Sequence, residues 1–185
     1  MRLFIAINFP EKVRSEIEKT REESVAKFPQ VAWTKKENIH LTIKFLGHIK
    51  NESIVEKIKE GIEKSTEGIK PFELVFDKIG YFAREQLIIW LGAKTDPQLQ
   101  LLVKRLDGEM EKLGFRKERK EFAPHITLGR GKRLDSKILQ EIKQAINSSQ
   151  FVLPKPFFVS QIILMNSTLS PKGPVYNPIS QFALS

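Results

Sequence analysis

The sequence predicts an α+β fold of two related halves, with mainly antiparallel sheets lining a central cleft and helices outside. Three observations lead there. The stretch HLTIKFLG from His40 returns as HITLGR from His125, and this offset (125 − 40 = 85) points to an internal repeat. The same offset carries Lys70-Pro71-Phe72 onto Lys155-Pro156-Phe157 and the apolar run Leu3–Ile7 onto Ile88–Gly92. Apolar periodicity then alternates along the chain between strand and helix spacing, in the order strand, helix, strands, helix, strands, helix, strand, helix, strands. Halves related by a pseudo-two-fold axis would put His40 and His125 on opposite walls of one groove. The expected organisation is a single bilobal domain over residues 1–185, with repeats at 1–85 and 86–170 and a closing strand at 171–185. No Pro/Gly/Ser-rich linker divides it, and 185 residues with 41% hydrophobic content suffice for a sizeable shared core.

In chain order, Arg2–Phe9 reads as a mostly buried strand, and Pro10-Glu11 opens a helix carrying Val13 and Ile17, which Pro29 ends. Val31–Trp33 reads as a short strand and Ile39–Leu46 as the first motif strand. Asn51 is the expected N-cap of a helix bearing Ile54, Ile58 and Ile62, stopped at Gly68. Phe72, Leu74 and Phe76 alternate along one strand, whose partner, Leu87–Leu91, follows a turn near Ala83–Gln86. Asp96-Pro97 starts a helix with an apolar stripe of Leu99, Leu102, Val103, Leu106, Met110 and Leu113, ending at Gly114. After the basic RKERK loop and the second motif strand, Asp135 caps a helix with Ile138, Leu139, Ile142 and Ile146 inward. Phe157–Met165 and Tyr176–Leu184 close the chain as two strands around SPKGP.

The chain has no cysteine, which excludes disulfides, thiol chemistry and any Cys-containing zinc site. The apolar run at the N-terminus is too short for a signal peptide and no run approaches transmembrane length, so a soluble cytoplasmic protein with no membrane partner is expected. Lys and Arg number 31 against 22 Asp and Glu, and the net charge of +9 attracts polyanions such as RNA. Sign-alternating stretches such as EKVRSEIEKTREE read equally as solvated helix faces. RNA contacts are therefore sought in the blocks Arg116–Lys120 and Lys132-Arg133.

Each motif reads His-aliphatic-Thr-aliphatic. On a strand this puts imidazole and hydroxyl on one face, with Leu41, Ile43, Ile126 and Leu128 toward a core. A single histidine in a strand is usually a satisfied core residue. Here two of the chain's three histidines sit in matching motifs, which favours chemistry. A neutral imidazole can accept a proton from a nucleophile while a protonated one donates to a leaving group, and two threonines can hold the non-bridging oxygens of a phosphate. The pattern suits in-line displacement at phosphorus with no metal or cofactor, although the residues alone do not orient acid and base. Alternation puts Lys44 on the face of His40 and Thr42, whereas Arg130 falls on the opposite face unless the strand ends or bulges. Both read as phosphate or RNA contacts, or as ordinary surface cations. Trp33, Tyr81 and Phe82 would either stack on a base or belong to the core. His48 has no partner in the repeat and reads as an exposed turn residue.

HLTIKFLG and HITLGR resemble the paired HxTx motifs of the two-histidine (2H) phosphoesterases. RLFIAINFP, Trp33, PFELVFDKIGYF and the ending Tyr176–Leu184 extend the resemblance over the full chain, to the RNA 2′,3′-cyclic phosphodiesterases, also called the 2′-5′ RNA ligase family. The resemblance implies a bilobal fold and metal-independent opening of a 2′,3′-cyclic phosphate at an RNA end to leave a 2′-phosphomonoester. It makes His40 the proton donor to the departing 3′-oxygen, His125 the base that activates water, and Thr42 and Thr127 the phosphate-binding residues, in a protein expected to be a monomer. An ATP-independent RNA ligase and a non-catalytic RNA-end-binding module are the other classes the same groove would serve. No G-x-x-x-x-G-K-[ST] motif is present.

Overall fold

The computed structural model describes residues 1–22, 28–83, 85–118, 120–132, 134–171 and 173–185. Its elements run β1 (Arg2–Asn8), α1 (Glu11–Glu22), β2 (Val31–Trp33), a 3-10 turn (Lys36–Asn38), β3 (His40–His48), α2 (Ile54–Thr66), β4 (Phe72–Leu74), β5 (Phe76–Ala83), β6 (Leu87–Ala93), α3 (Pro97–Lys112), β7 (His125–Gly131), α4 (Ser136–Ser148), β8 (Phe157–Val159), β9 (Gln161–Ser170) and β10 (Gly173–Ala183). This is the expected α+β architecture. The main sheet has the order β10-β9-β1-β3-β7-β6-β5, with β2 pairing β7, and β4 and β8 form a small second sheet. Every pairing is antiparallel.

β3 and β7 meet at one registered pair, Leu41–Ile126. On one side of that junction lie β3, β1, β9 and β10, and on the other β7, β6 and β5, with β2 on β7. The bounds of β1 and β6 stand at the repeat offset (87 − 2 and 93 − 8), as do those of β4 and β8 (157 − 72 and 159 − 74). The two residues of the Leu41–Ile126 pair are related by the same offset, as are those of the Glu73–Phe158 pair between β4 and β8.

The helices form because their apolar residues recur at helical spacing, and they lay those stripes on one face of the sheet. Ile17 of α1, Ile58 and Ile62 of α2, Leu99, Leu102, Leu106 and Met110 of α3, and Ile142 and Ile146 of α4 join Leu3, Ile5, Ile7, Leu41, Ile89, Leu91 and Ile126 in one core. The other face carries a small separate cluster of Phe4, Ala6, Ile163 and Met165 with Tyr176 against it. Asp96 and Asp135 cap α3 and α4 as expected, accepting from Gln98 N at 2.7 Å and from Ile138 N at 2.8 Å.

Three expectations are corrected. Asn51 does not cap α2. Its Oδ1 accepts from Ser53 N at 3.0 Å, closing a turn before the helix, and the capping position is Ser53, whose side chain makes no capping bond. The run Phe72–Phe76 is two strands broken at Val75, and Phe157–Met165 is two strands broken at Ser160. At these two points, again related by the repeat offset, the chain passes from the small sheet to the large one. The interrupting carbonyls are held by Lys94 N (2.8 Å) and Leu184 N (2.9 Å). A side-chain period of two continues across such a switch, because alternation does not register which strand is the partner. Parts of the predicted turns around Arg84 and Lys172 lie outside the described residues.

One buried charge ties the sheet to α3. Lys44 of β3 is 3% exposed, pairs with Asp107 and donates to the Arg116 carbonyl at 3.2 Å. Removing one partner of a buried pair strands the other charge. Lys44→Met should therefore cost about 3 kcal/mol of unfolding free energy in urea titration. Adding Asp107→Leu should restore most of it; an unchanged midpoint in the single variant would show that the pair contributes nothing.

Candidate active site

Cross-strand partners share a face, so the register of β3 against β1 defines one wall of the cleft. His40 pairs with Asn8, Thr42 with Ala6 and Phe45 with Phe4. On the other wall, β7 against β6 pairs His125 with Gly92, Thr127 with Trp90 and Arg130 with Ile88. Counting one residue outward from Leu41–Ile126 sets His40 opposite Thr127 and Thr42 opposite His125. The four predicted groups thus converge on the sheet face away from the helical core.

Each motif strand also carries a bulge. The β1–β3 register skips Ile43, and Leu46 farther along, and the β6–β7 register skips Leu128, the equivalent of Ile43 in the repeat. A bulge adds a residue and reverses the alternation beyond it. The expectation that Lys44 shares the face of His40 is therefore corrected: Lys44 turns to the core side and Asp107, and Phe45 takes the cleft position. On β7 the bulge supplies the condition Arg130 needed. Leu128 and Gly129 are both buried, and Arg130 emerges exposed, without an ion pair among the described residues.

Both imidazoles are held the same way. Nδ1–H of His40 donates to the Asn38 carbonyl at 2.7 Å and Nδ1–H of His125 to the Ala123 carbonyl at 2.8 Å. A carbonyl only accepts, so the proton sits on Nδ1 in the neutral ring and Nε2 is the working atom. Nε2 of His40 lies 3.0 Å from Thr42 Oγ1. Asn38 is itself held by β10, through its Nδ2 donating to the Pro174 carbonyl at 2.9 Å. The Thr127 carbonyl accepts from Thr34 Oγ1 at 2.9 Å.

The surroundings of the two rings differ. His40 lies between Phe4 and Tyr176, each with its ring centroid at 5.0 or 5.1 Å from a neighbour in the trio: Phe4 to His40 is 5.0 Å, His40 to Tyr176 is 5.0 Å and Phe4 to Tyr176 is 5.1 Å. Burial pushes the His40 pKa below the usual imidazole value; the Asn38 carbonyl partly opposes this and the Arg130 charge adds to it. Burial raises the Tyr176 phenol, with Arg130 and then Arg2 opposing. Arg130, anchored on the His125 wall, thus acts electrostatically on the His40 wall. His125 meets the edge of Phe82 at 5.5 Å, and Phe82 leans on Trp90 at 5.3 Å. The Trp90 ring lies over two glycines: a Cβ on Gly92 would come within 2.9 Å of it, and one on Gly80 would collide outright.

Of the three aromatics considered for stacking, Trp33 and Tyr81 pack against the core, with Arg21 and Lys143 over their rings at 5.6 Å and 5.5 Å, and Phe82 faces the cleft. His48 stands exposed at the far end of β3, opposite Arg2. In the basic blocks, Lys117 pairs with Glu111 at 3.3 Å and Lys132 is exposed; Arg119 and Arg133 lie outside the described residues. Sequence reasoning missed Phe4, Phe45, Trp90 and Tyr176, and also Asn38 and Ala123. The last two carried a signal, since they precede the histidines by the same short step in both copies. Among the described residues, no three of His, Cys, Asp and Glu gather as metal ligands, and no helix is long and apolar enough to cross a membrane.

The profile of the 2′-5′ RNA ligase superfamily matches residues 9–170. The chain is 35% identical to the RNA 2′,3′-cyclic phosphodiesterase of Methanocaldococcus jannaschii, over 98% of this chain and 100% of that protein. It is 33% identical to the protein of the same name from Thermotoga maritima, over 95% and 91% of the two chains. A crystal structure from Thermus thermophilus superimposes with a TM-score of 0.79 at 27% identity, covering 100% of this chain and 98% of that one. Escherichia coli LigT in its apo form shares the fold, with a TM-score of 0.78 at 24% identity over 100% and 97% of the two chains. With its paired His-x-Thr motifs converging on one sheet face and a profile match over most of its length, the chain belongs to the 2′-5′ RNA ligase superfamily of 2H phosphoesterases.

Proposed function

We propose that this protein is an RNA 2′,3′-cyclic phosphodiesterase acting by metal-independent acid-base catalysis. The observation that carries the reading is the matched pair of imidazoles. Each has Nδ1 fixed by a carbonyl just upstream and a threonine just downstream on the same face, and Arg130 lies in the same cleft. The names of the Methanocaldococcus and Thermotoga relatives support the substrate class.

In the proposed reaction, Nε2 of His125 takes a proton from water as its oxygen bonds to phosphorus. The bond from phosphorus to the 3′-oxygen breaks in line, and His40 gives that oxygen its proton, leaving a 2′-phosphomonoester. Thr42, Thr127 and Arg130 stabilise the charge on the non-bridging oxygens. Lys44 has no place in this scheme because Asp107 and the Arg116 carbonyl occupy its ammonium. The same reading takes residues 1–185 as one bilobal domain of two related halves, 1–85 and 86–170, with 171–185 as the closing strand. It makes the protein a cytoplasmic monomer that binds RNA ends through its +9 charge.

Incubation with a short RNA ending in a 2′,3′-cyclic phosphate, in excess EDTA, should yield a 2′-phosphate identifiable by phosphorus NMR. Loss of turnover in EDTA with recovery on adding a divalent ion would replace the two-histidine scheme by metal-assisted hydrolysis. A joined product formed with a 5′-hydroxyl RNA would identify ligation, the same displacement with that hydroxyl in place of water.

His40→Ala and His125→Ala should each lower kcat by roughly 10²-fold or more, and the double variant by less than the product of the two losses. His48→Ala, outside the cleft, should be near neutral. A folded His40→Ala variant with full turnover would leave only an RNA-end-binding role.

The electrostatics set a pH signature. With its pKa lowered, His40 is rarely protonated in the free protein at neutral pH, whereas an anionic phosphate beside it favours the imidazolium. The alkaline limb of kcat should therefore lie at higher pH than that of kcat/KM. Arg130→Ala removes a cation and should raise the His40 titration midpoint seen by proton NMR. Coincident limbs would place the phosphate away from His40, and an unmoved midpoint in the variant would show that Arg130 does not act on that ring.

A further inference from the structure

We propose that Lys44 is a positioning residue for His125. Its ammonium pins the segment that leads into β7, and so fixes the carbonyl that orients the imidazole. The proposed reaction enters only through the turnover that one arm of the test reads.

The repeat shows what this segment lacks. In the first half the residues ahead of the motif strand, Val31–Trp33, form β2 and pair with β7. Thr34 then donates its N–H to the Leu128 carbonyl at 2.8 Å and its Oγ1–H to the Thr127 carbonyl at 2.9 Å. The approach to β3 is thereby laid along the other motif strand. Symmetry would lay residues 116–118 (31 + 85 to 33 + 85) along β3 in the same way. Those residues form no strand, and among the described residues β3 and β7 register only the Leu41–Ile126 pair. One bond stands in for the missing strand: Lys44 Nζ donates to the Arg116 carbonyl at 3.2 Å. Lys44 holds the right position for this, since its repeat equivalent, Gly129 (44 + 85), is the residue that pairs with Trp33 of β2.

The carbonyls that hold the two imidazoles differ as well. Asn38 and Ala123, equivalent positions, each accept Nδ1–H from the histidine two residues on. Asn38 secures itself, because its Nδ2 donates to the Pro174 carbonyl at 2.9 Å. Ala123 has only a methyl group. Its segment is tied at the near end by Ala93 N to the Pro124 carbonyl at 3.0 Å, has Phe122 partly buried on the core, and is tied at the far end by Lys44.

The choice of a charged pair agrees. Lys44 is buried and its partner Asp107 stands on α3. For stability alone, apolar residues of similar volume serve as well as a buried ion pair. An apolar pair, however, has no donor for the Arg116 carbonyl, whereas an ammonium has three N–H groups to divide between that oxygen and the carboxylate. Which nitrogen of a neutral imidazole carries the proton is set by the hydrogen bond the other makes. If the Ala123 carbonyl drifts, the proton moves toward Nε2, the atom that must accept from water in the proposed reaction.

Nitrogen-15 NMR of histidine-labelled protein reads the tautomer of each ring, with His40 as internal reference. Lys44→Met/Asp107→Leu removes both charges and strands neither, so its urea midpoint should stay near that of the parent protein. Its His125 should nevertheless shift from the Nδ1–H to the Nε2–H form while His40 does not. Its kcat should fall roughly 10- to 100-fold, with KM moving less. Asp107→Asn should do the opposite. It strands the ammonium and lowers the midpoint, yet keeps the donor to the Arg116 carbonyl, so the His125 tautomer should hold and kcat should change by no more than about twofold. A pair that serves stability alone would make tautomer and kcat follow the midpoint in both variants, and that result would overturn the assignment. So would a double variant whose His125 keeps its Nδ1–H form. If the double variant does not fold, Lys44→Met and Asp107→Asn decide, because each strands one charge and only the first removes the donor. The tautomer is read without turnover. A protein whose His125 followed these variants but failed to open the cyclic phosphate would refute the reaction and keep the brace, and active enzyme with an unmoved His125 would do the reverse.

Discussion

The cleft depends on how β3 and β7 meet. They are registered at the single pair Leu41–Ile126, and all the proposed chemistry is arranged around it. Because these strands are antiparallel, the neighbours of that pair place each histidine across from the other motif's threonine. Because Leu41 and Ile126 are both fully buried, the intervening positions must face away from the core. A slip of one residue by either strand at this junction would send its histidine into the helical core and its aliphatic neighbour into the cleft. The register is thus protected by the burial energy of the core residues beside the site, and stability and function are enforced by the same contact.

The bulges convert a symmetric frame into an asymmetric site. Without them, alternation would put Lys44 in the cleft and Arg130 out of it. With them, one wall presents Phe45 and the other Arg130, and Lys44 serves as a buried strut to α3. The rings of Phe4 and Tyr176 pack against His40, and its burial lowers its pKa. His125 sits against Phe82, backed by a Trp90 ring that fits only because Gly80 and Gly92 lack side chains. Two imidazoles with the same backbone anchor thereby acquire different surroundings, which acid and base roles require.

The fold class, the capping aspartates of α3 and α4, β2, and the two histidines with their threonines were all legible in the residues themselves. Each rests on a local rule. A capping side chain acts within the first turn, a strand's faces alternate every residue, and repetition at a fixed offset raises a short pattern above coincidence. Lys44, Phe45 and the strand breaks at Val75 and Ser160 were not legible for a shared reason. A bulge or a change of sheet is a choice of hydrogen-bonding partner made by another part of the chain, and the alternating side chains carry no mark of it.

The sequence by itself therefore determined which groups are available: two imidazoles, two hydroxyls, a surplus of positive charge and no thiol. Tertiary structure alone decided which of the cations reaches the cleft, which aromatic ring stands bare beside His40, and how far that imidazole is desolvated. Those properties belong to strands brought together from distant positions, as when β10 fixes Asn38 and lays Tyr176 on His40. Composition and spacing describe a strand on its own, whereas the field and the solvent around a side chain are set by its neighbours in space.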